Sequence, residues 1–170
     1  MQRPFLRDLL WECLRSGTLA SLAMMPFGAL FRWLGLRVGH YGPKFAAWLF
    51  GTEPGPVLLF AQHLVLGWLS ALPLLLVLVL PLRALATRRA RLVVSAAYGA
   101  GYYAAVNALG LPWFFGDPSP LLLGWPVVYP SLVVHVVFGL VIGLASGGFV
   151  ERTRPSLERT RHSRSHRAEA

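Results

Sequence analysis

The chain has 170 residues, of which 55% are hydrophobic and 14% are charged, and its formal net charge is +9. Four stretches contain no Asp, Glu, Lys or Arg and take up most of the chain: 17–31, 55–82, 92–116 and 118–150. This leaves no room for a soluble catalytic domain. The positive charge lies beside the apolar stretches, where anionic lipid headgroups rather than nucleic acid are the usual partner.

The Lys and Arg residues are divided unequally among the segments that flank these stretches. With four membrane crossings, thirteen of the sixteen lie on the side of both termini and three on the other side. Cytoplasmic loops of membrane proteins carry such an excess. The sequence therefore predicts an all-α polytopic membrane protein, a bundle of four transmembrane helices with short interfacial helices. Both termini are predicted to be cytoplasmic, in a bacterial plasma (inner) membrane.

The first transmembrane helix is predicted at about 17–36, since the Arg32 side chain can extend to the membrane surface. Residues 4–15 are amphipathic and form either a short interfacial helix or the first turns of this crossing. A cleaved signal peptide is the main alternative. Asp8 and Glu12 interrupt its basic region and the apolar run continues past any cleavage site, which favours a crossing.

The first outer connection, 37–55, contains several Gly and Pro residues. Within it, 44–50 is too short to cross and is predicted to lie in the membrane interface. The second transmembrane helix is predicted at about 56–80, with a kink at Pro73, because proline removes one helix hydrogen bond. The next connection should be cytoplasmic because it contains four arginines: Arg83, Arg88, Arg89 and Arg91.

The third transmembrane helix is predicted at about 92–111, with Pro112 at its outer end. The fourth is predicted at about 127–149, because Pro126 and Pro130 argue against a single helix from 118 onward, and 121–125 should lie at the interface. The tail, 151–170, is rich in Arg, Ser, Thr and His. It cannot bury enough apolar surface to order itself and is predicted to be a disordered basic cytoplasmic tail near anionic headgroups.

Small residues recur at every fourth position in the predicted helices. The fourth helix has Ser131, His135, Gly139, Gly143 and Gly147; the second has His63, Gly67 and Ala71; the third has Ala97, Gly101 and Ala105; the first has Gly17 and Ser21. Residues at this spacing share a helix face, and small ones allow another helix backbone to approach closely. The packing is predicted to be within the chain, and a homo-oligomer is the alternative.

Five polar residues are expected to meet in the outer half of the bundle: Gln62, His63, Tyr103, Asn107 and His135. The two histidines continue small-residue faces, so they should point into the bundle. Polar side chains within a membrane are costly unless they are paired, and ionisable ones are default candidates for functional sites. Either an interhelical hydrogen bond, such as one between His135 and Asn107, or a ligand site explains them.

Three functional versions of this cluster stay open. His63 and His135 could ligate the iron of haem b, they could relay protons, or the cluster could bind a quinone or lipid headgroup. Copper or zinc is disfavoured because no Cys, Asp or Glu completes a coordination shell. The crossings contain no catalytic motif and no carboxylate pair, which argues against an enzyme. Asp117 and Glu53 are interpreted as isolated loop charges.

The FAQH run at 60–63 and the LVVHVVFGLVIGL segment at 132–144, with ERTR soon after it, resemble the YagU-like small bacterial inner-membrane proteins. In that family a comparable histidine opens one crossing and another lies in the last crossing. The resemblance implies a membrane location and no particular biochemistry. The first hypothesis is therefore a non-enzymatic structural or accessory membrane protein with no cofactor. The second is a ligand-binding, haem-binding or transport protein that uses His63 and His135.

Overall fold

The computed structural model describes residues 2–39, 41–51, 54–80, 85 and 87–153. All regular secondary structure within these ranges is helical, which confirms the predicted all-α class for this part of the chain. The helices are α1 (Gln2–Trp33), α2 (Tyr41–Phe50), α3 (Pro56–Val79), α4 (Arg88–Tyr102), a π-helical segment (Tyr103–Gly110), α5 (Leu111–Phe115), α6 (Pro120–Leu123) and α7 (Trp125–Ala145). Residues 147–153 are helical as well.

Three helical runs among the described residues are long and apolar enough to cross a membrane: Pro56–Val79, Arg88–Phe115 and Trp125–Ala145. These runs show the features of a membrane protein. The long helix α1 has 32 residues but is not one of the three. Its first half contains five charged residues, which shorten its apolar part: Arg3, Arg7, Asp8, Glu12 and Arg15.

Helix α1 packs between α3 and α7 and runs antiparallel to α7. The Arg15 guanidinium donates a hydrogen bond to the carbonyl of Ala145 at the end of α7. The Phe31 ring packs edge-on against Tyr129 near the beginning of α7, with 5.4 Å between ring centroids. Because α4 packs on the other side of α7, the order of the long helices is α3, α1, α7, α4.

The two ends of this bundle differ in their side chains. One end, called here the aromatic end, carries four exposed tryptophans: Trp33, Trp48, Trp113 and Trp125. The other, called the basic end, carries arginines of α1, α4 and the 147–153 helix: Arg7, Arg15, Arg88, Arg89 and Arg152. Tryptophan at the ends of apolar helices is typical of the membrane–water interface.

Glycine sets the contact between α1 and α3. A Cβ atom added to Gly17 would lie 2.9 Å from the carbonyl oxygen of Gly67, so the two backbones touch. The adjacent Trp68 indole donates a hydrogen bond of 2.8 Å to the Thr18 hydroxyl. Close backbone approach of this kind is held by dispersion contacts, which together with interhelical hydrogen bonds and lipid entropy drive helix association in lipid.

The contact between α4 and α7 is also built on glycine. A Cβ atom at Gly139 would overlap the carbonyl of Ser95, and one at Gly143 would overlap its hydroxyl. A Cβ atom at Gly99 would overlap the carbonyl of His135. The packing predicted for Gly67, Gly139 and Gly143 is therefore present, and their close partners belong to the same chain.

Two predicted packing glycines are corrected by the structure. Added Cβ atoms at Gly101 and Gly147 would meet nothing within 4 Å. The predicted face of the third helix, Ala97, Gly101 and Ala105, is exposed. The face that packs against α7 consists of Arg91, Ser95 and Gly99 of α4 and continues to Tyr103 in the π-helical segment. Gly147 follows the turn at Ser146 that ends α7, so it does not continue that helix face.

The predicted boundaries of the first crossing are also corrected. Helix α1 includes the amphipathic residues 4–15, so this segment is continuous with the helix predicted at 17–36 and is not a separate short helix. The helix ends at Trp33 rather than at 36. The chain reverses at Gly35, whose φ of +75° is a left-handed conformation that glycine adopts without strain.

The third predicted helix is longer at both ends, since the run covers 88–115 instead of 92–111. The Thr87 hydroxyl accepts a hydrogen bond from the Ala90 amide and caps α4, so Arg88 and Arg89 are helical rather than part of a loop. Arg91 is helical too, and Arg83 lies outside the described residues. Pro112 does not end the helix, since the run continues to Phe115; the carbonyl of Ala108, four residues before the proline, accepts a hydrogen bond from the Ser119 hydroxyl.

The last predicted helix begins and ends earlier, at Trp125 and Ala145 rather than at 127 and 149. Pro126 lies in its first turn, a position that proline tolerates. Pro130 lies inside the helix, as the predicted span of 127–149 requires. The predicted disordered tail is corrected for 151–153, which are helical, and 154–170 lie outside the described residues.

Candidate functional site

A half-open cavity of about 420 Å³ lies between the helices, toward the aromatic end. Its walls come from α1, α3, α4, the π-helical segment, α5 and α7, together with three residues of α2 and with Val38 and Gly39 before it. Four of the five predicted polar residues line this cavity: Gln62, His63, Asn107 and His135. The convergence of these side chains from three separate helical runs makes the cavity the candidate functional site.

His135 is held by hydrogen bonds at both ring nitrogens. Its Nδ1 lies 2.6 Å from the carbonyl oxygen of Ser131, one turn earlier in α7. Because a carbonyl oxygen only accepts, Nδ1 carries the proton in this arrangement. Nε2 is then an acceptor and takes a hydrogen bond of 3.1 Å from the side-chain amide of Asn107. The hydrogen bond predicted between these two residues is thus present.

His63 is oriented by the same kind of contact. Its Nε2 lies 3.2 Å from the carbonyl oxygen of Ser21 in α1, so Nε2 donates. This leaves Nδ1 as an unprotonated acceptor in the neutral ring, with no hydrogen bond to any described residue. The contact joins α3 to α1 one turn from the glycine crossing, since Ser21 also lies against Gly67.

The Gln62 amide is oriented by α2. Its Nε2 donates a hydrogen bond of 3.2 Å to the carbonyl oxygen of Gly42. The amide oxygen, Oε1, is therefore the free end, and it is buried without a hydrogen-bond partner. A buried acceptor without a partner costs free energy of about 1–3 kcal/mol unless a ligand or water satisfies it.

Tyrosine rings cover one side of His135. The Tyr102 ring stacks on the imidazole with 5.8 Å between centroids and an interplanar angle of 23°. The Tyr103 ring lies 5.6 Å from the imidazole, but Tyr103 does not line the cavity, whereas Tyr102 does. The sequence pattern missed Tyr102. The pattern of buried residues could have identified it. Gly99 of α4 and Tyr103 of the π-helical segment lie on the face that packs against α7, and Tyr102 lies next to this face, beside the cavity.

Helix α2 lies across the cavity at the aromatic end and is tied to the end of α5. The Tyr41 ring stacks on Phe115 with centroids 6.0 Å apart. The Lys44 ammonium lies 2.6 Å from the Asp117 carboxylate and 5.0 Å from the centroid of the Phe115 ring. Asp117 is therefore paired, which corrects its interpretation as an isolated loop charge; Glu53 lies outside the described residues. Burial and then the Asp117 carboxylate raise the pKa of the Tyr41 hydroxyl.

None of the described residues that line the cavity carries a formal charge at neutral pH. Transfer of an ion into such a site, without a counter-charge, is expensive. Nε2 of each histidine is already hydrogen-bonded, to Asn107 and to the Ser21 carbonyl, so ligation of a haem iron through both Nε2 atoms would require these two bonds to break. The arrangement of donors and acceptors suits a neutral ligand that forms hydrogen bonds.

No family model, no curated protein and no solved structure matches this chain. The resemblance to the YagU-like proteins stays a prediction.

Proposed function

We propose that this protein is a non-enzymatic membrane protein that binds a small membrane-soluble molecule in the cavity. One observation carries the proposal: Gln62, His63, Asn107 and His135 converge on a single cavity of about 420 Å³. Interhelical hydrogen bonds in membranes contribute only about 0.6 kcal/mol on average, which is a weak reason to gather four polar side chains around such a space.

The proposed setting is a bacterial plasma membrane that the chain crosses four times, with both termini in the cytoplasm. Helix α1 supplies the fourth crossing, and its support is its position between α3 and α7, two helices that are themselves long and apolar enough to span. The basic end faces the cytoplasm, where Arg88 and Arg89 meet anionic lipid headgroups.

Reporter fusions test this topology. Alkaline phosphatase joined after Gly51 should be active outside the cytoplasm, and green fluorescent protein joined after Ala170 should fluoresce within it. Active phosphatase at the Ala170 junction would place the basic end outside and would overturn the orientation.

The binding proposal is tested by filling the cavity. Leu66 lines it, whereas Leu69, in the same helix, has 63% of its surface exposed. Organic extraction of protein purified in mild detergent should release a small molecule close to one per chain. The Leu66→Trp variant should lose most of this molecule, and Leu69→Trp should retain it. Equal amounts in both variants would contradict binding in the cavity.

Haem-binding is the second candidate, motivated by two histidines that line one cavity. A Soret band in the purified protein that is lost in both His63→Ala and His135→Ala would favour it. The hydrogen bonds at both Nε2 atoms lead us to expect a colourless protein.

A further inference from the structure

We infer that the cavity binds the neutral, hydroxyl-bearing headgroup of a lipid-like molecule. This inference rests on the proposed binding function and names the class of ligand. It follows from which polar atoms of the cavity are already hydrogen-bonded and which are left free.

Main-chain carbonyls fix the orientation of the polar side chains. The carbonyl oxygens of Gly42, Ser21 and Ser131 each accept a hydrogen bond from a cavity residue. The donors are Gln62 Nε2, His63 Nε2 and His135 Nδ1, respectively. These contacts decide the amide orientation of Gln62 and the tautomers of both histidines. The Asn107 amide is oriented in turn, since His135 Nε2 can only accept.

The polar atoms that remain free include acceptors, besides the second N–H of each amide and the Ser21 hydroxyl. Gln62 Oε1 is buried without a partner, and His63 Nδ1 and Asn107 Oδ1 have no hydrogen bond to any described residue. A ligand that fills the cavity must therefore bring hydrogen-bond donors, because an acceptor-only headgroup would leave these atoms unsatisfied. Hydroxyl groups are the neutral donors that also accept, and the buried, unpartnered Ser21 hydroxyl can donate back to one of them.

The lack of charged side chains among the described lining residues restricts the ligand to neutral headgroups. The described lining has no Lys or Arg to balance a phosphate and no Asp or Glu to balance an amine. An unpaired ion in this environment would lose its hydration without compensation. Phospholipids and amines with a free charge are therefore excluded from the cavity, although anionic headgroups remain partners of the basic end.

The rest of the wall is apolar and suits an acyl or prenyl chain. Leu66, Val106 and Phe138 line the cavity together with the polar group. A headgroup bonded to Gln62 and His63 would place the first carbons of its chain against these side chains. The ligand class is thus a neutral alcohol or polyol with one long apolar chain.

Three matched probes test this inference on the full-length protein in detergent. Radiolabelled 1-monooleoylglycerol carries two hydroxyl donors, its dimethyl ether carries none, and its phosphate monoester adds charge to the same skeleton. We expect the alcohol to bind at least about tenfold more tightly than either derivative, since each lost hydrogen bond to a neutral group weakens binding about fivefold.

A substitution at Gln62 tests whether the preference for the alcohol depends on Gln62 Oε1. Gln62→Met removes the free acceptor at nearly constant volume and should weaken binding of the alcohol about fivefold, while binding of the ether stays unchanged. Leu69→Met, on the exposed face of α3, should change neither. A merely structural role of Gln62 would alter both probes equally.

Different results would contradict the ligand class and the proposed binding function. Binding of the ether or the phosphate as tight as that of the alcohol would overturn the ligand class and leave a binding protein. If none of the three probes binds and no small molecule co-purifies, both the ligand class and the proposed function are overturned. The comparison of probes needs only the native chain, so it stands even if Gln62→Met fails to fold.

Discussion

The side-chain amide of Asn107 donates a hydrogen bond to Nε2 of His135 across 3.1 Å, joining the π-helical segment to α7. This bond and the Ser131 carbonyl together fix the ring of His135 in one tautomer. The segment that carries Asn107 has wider turns than an α-helix, and such segments are frequent at functional sites. The wall of the cavity is therefore shaped by a local departure from α-helical geometry.

Replacement of Asn107 by leucine should lower the stability of the protein. It leaves His135 Nε2 without its donor, and we expect a loss of about 1 kcal/mol in the free energy of unfolding. Thermal unfolding in detergent, followed by circular dichroism, measures the change. Leu109→Ala in the same segment is the control, because Leu109 is exposed. An unchanged melting temperature for Asn107→Leu would show that the bond carries no stability.

Gly139→Ala should disrupt the contact between α4 and α7. The new Cβ atom would overlap the Ser95 carbonyl, which is backbone and cannot rotate away, so the helices must separate at a cost of about 1–3 kcal/mol. Gly147→Ala is the matched control, since its Cβ would meet nothing within 4 Å. Size-exclusion chromatography after heating should show earlier aggregation for Gly139→Ala alone, and equal behaviour of the two variants would contradict the packing.

Asp117→Asn should loosen α2 over the cavity. The exchange removes the charge that holds Lys44, in a pair that is partly exposed and contributes no more than about 1 kcal/mol. In a Cys13→Ala background, a cysteine at position 66 should react with maleimide about two- to fivefold faster. Adding Lys44→Met to Asp117→Asn should cause no further increase, because the pair is already broken. Unchanged reactivity in Asp117→Asn would mean that the Lys44–Asp117 pair does not hold α2 over the cavity.

Glu12→Gln should destabilise the basic end of the bundle. Glu12 is buried and receives a hydrogen bond of 2.6 Å from Arg15, which also bonds the Ala145 carbonyl of α7. Loss of the carboxylate charge should cost about 1–3 kcal/mol in unfolding free energy. Asp8→Asn breaks the exposed pair with Arg7 and should have almost no effect, so similar melting temperatures would contradict a structural role for Glu12.

The sequence predicted the helical class and the positions of the long apolar helices because hydrophobicity and charge decide them. Boundaries were less certain where proline was involved. Pro112 and Pro126 were interpreted as breaks. Pro126 occupies the first turn of α7, where proline has no hydrogen bond to lose, and Pro112 lies inside a helical run that continues to Phe115. Sequence pattern alone does not reveal the π-helical segment that lets the third run continue.

Part of the candidate site was accessible from the sequence and part was not. The predicted depth and helix face of His63, His135 and Asn107 were enough to predict that these residues lie close together. Tyr102 and the Lys44–Asp117 pair were missed, because they depend on how α4 is rotated and on where α2 lies. Such rotations are set by close contacts, for example that of Gly99 with the His135 carbonyl, which follow from three-dimensional packing.

The position of α1 between α3 and α7 has a consequence for biosynthesis. The ribosome makes α1 first, but its carbonyl partner for Arg15 lies at the end of α7, the last of the long helices to be made. Until translation is nearly complete, the nascent chain thus holds the Glu12–Arg15 pair without the α7 carbonyl to which Arg15 is bonded in the folded protein. A chain that stops before α7 cannot form this hydrogen bond.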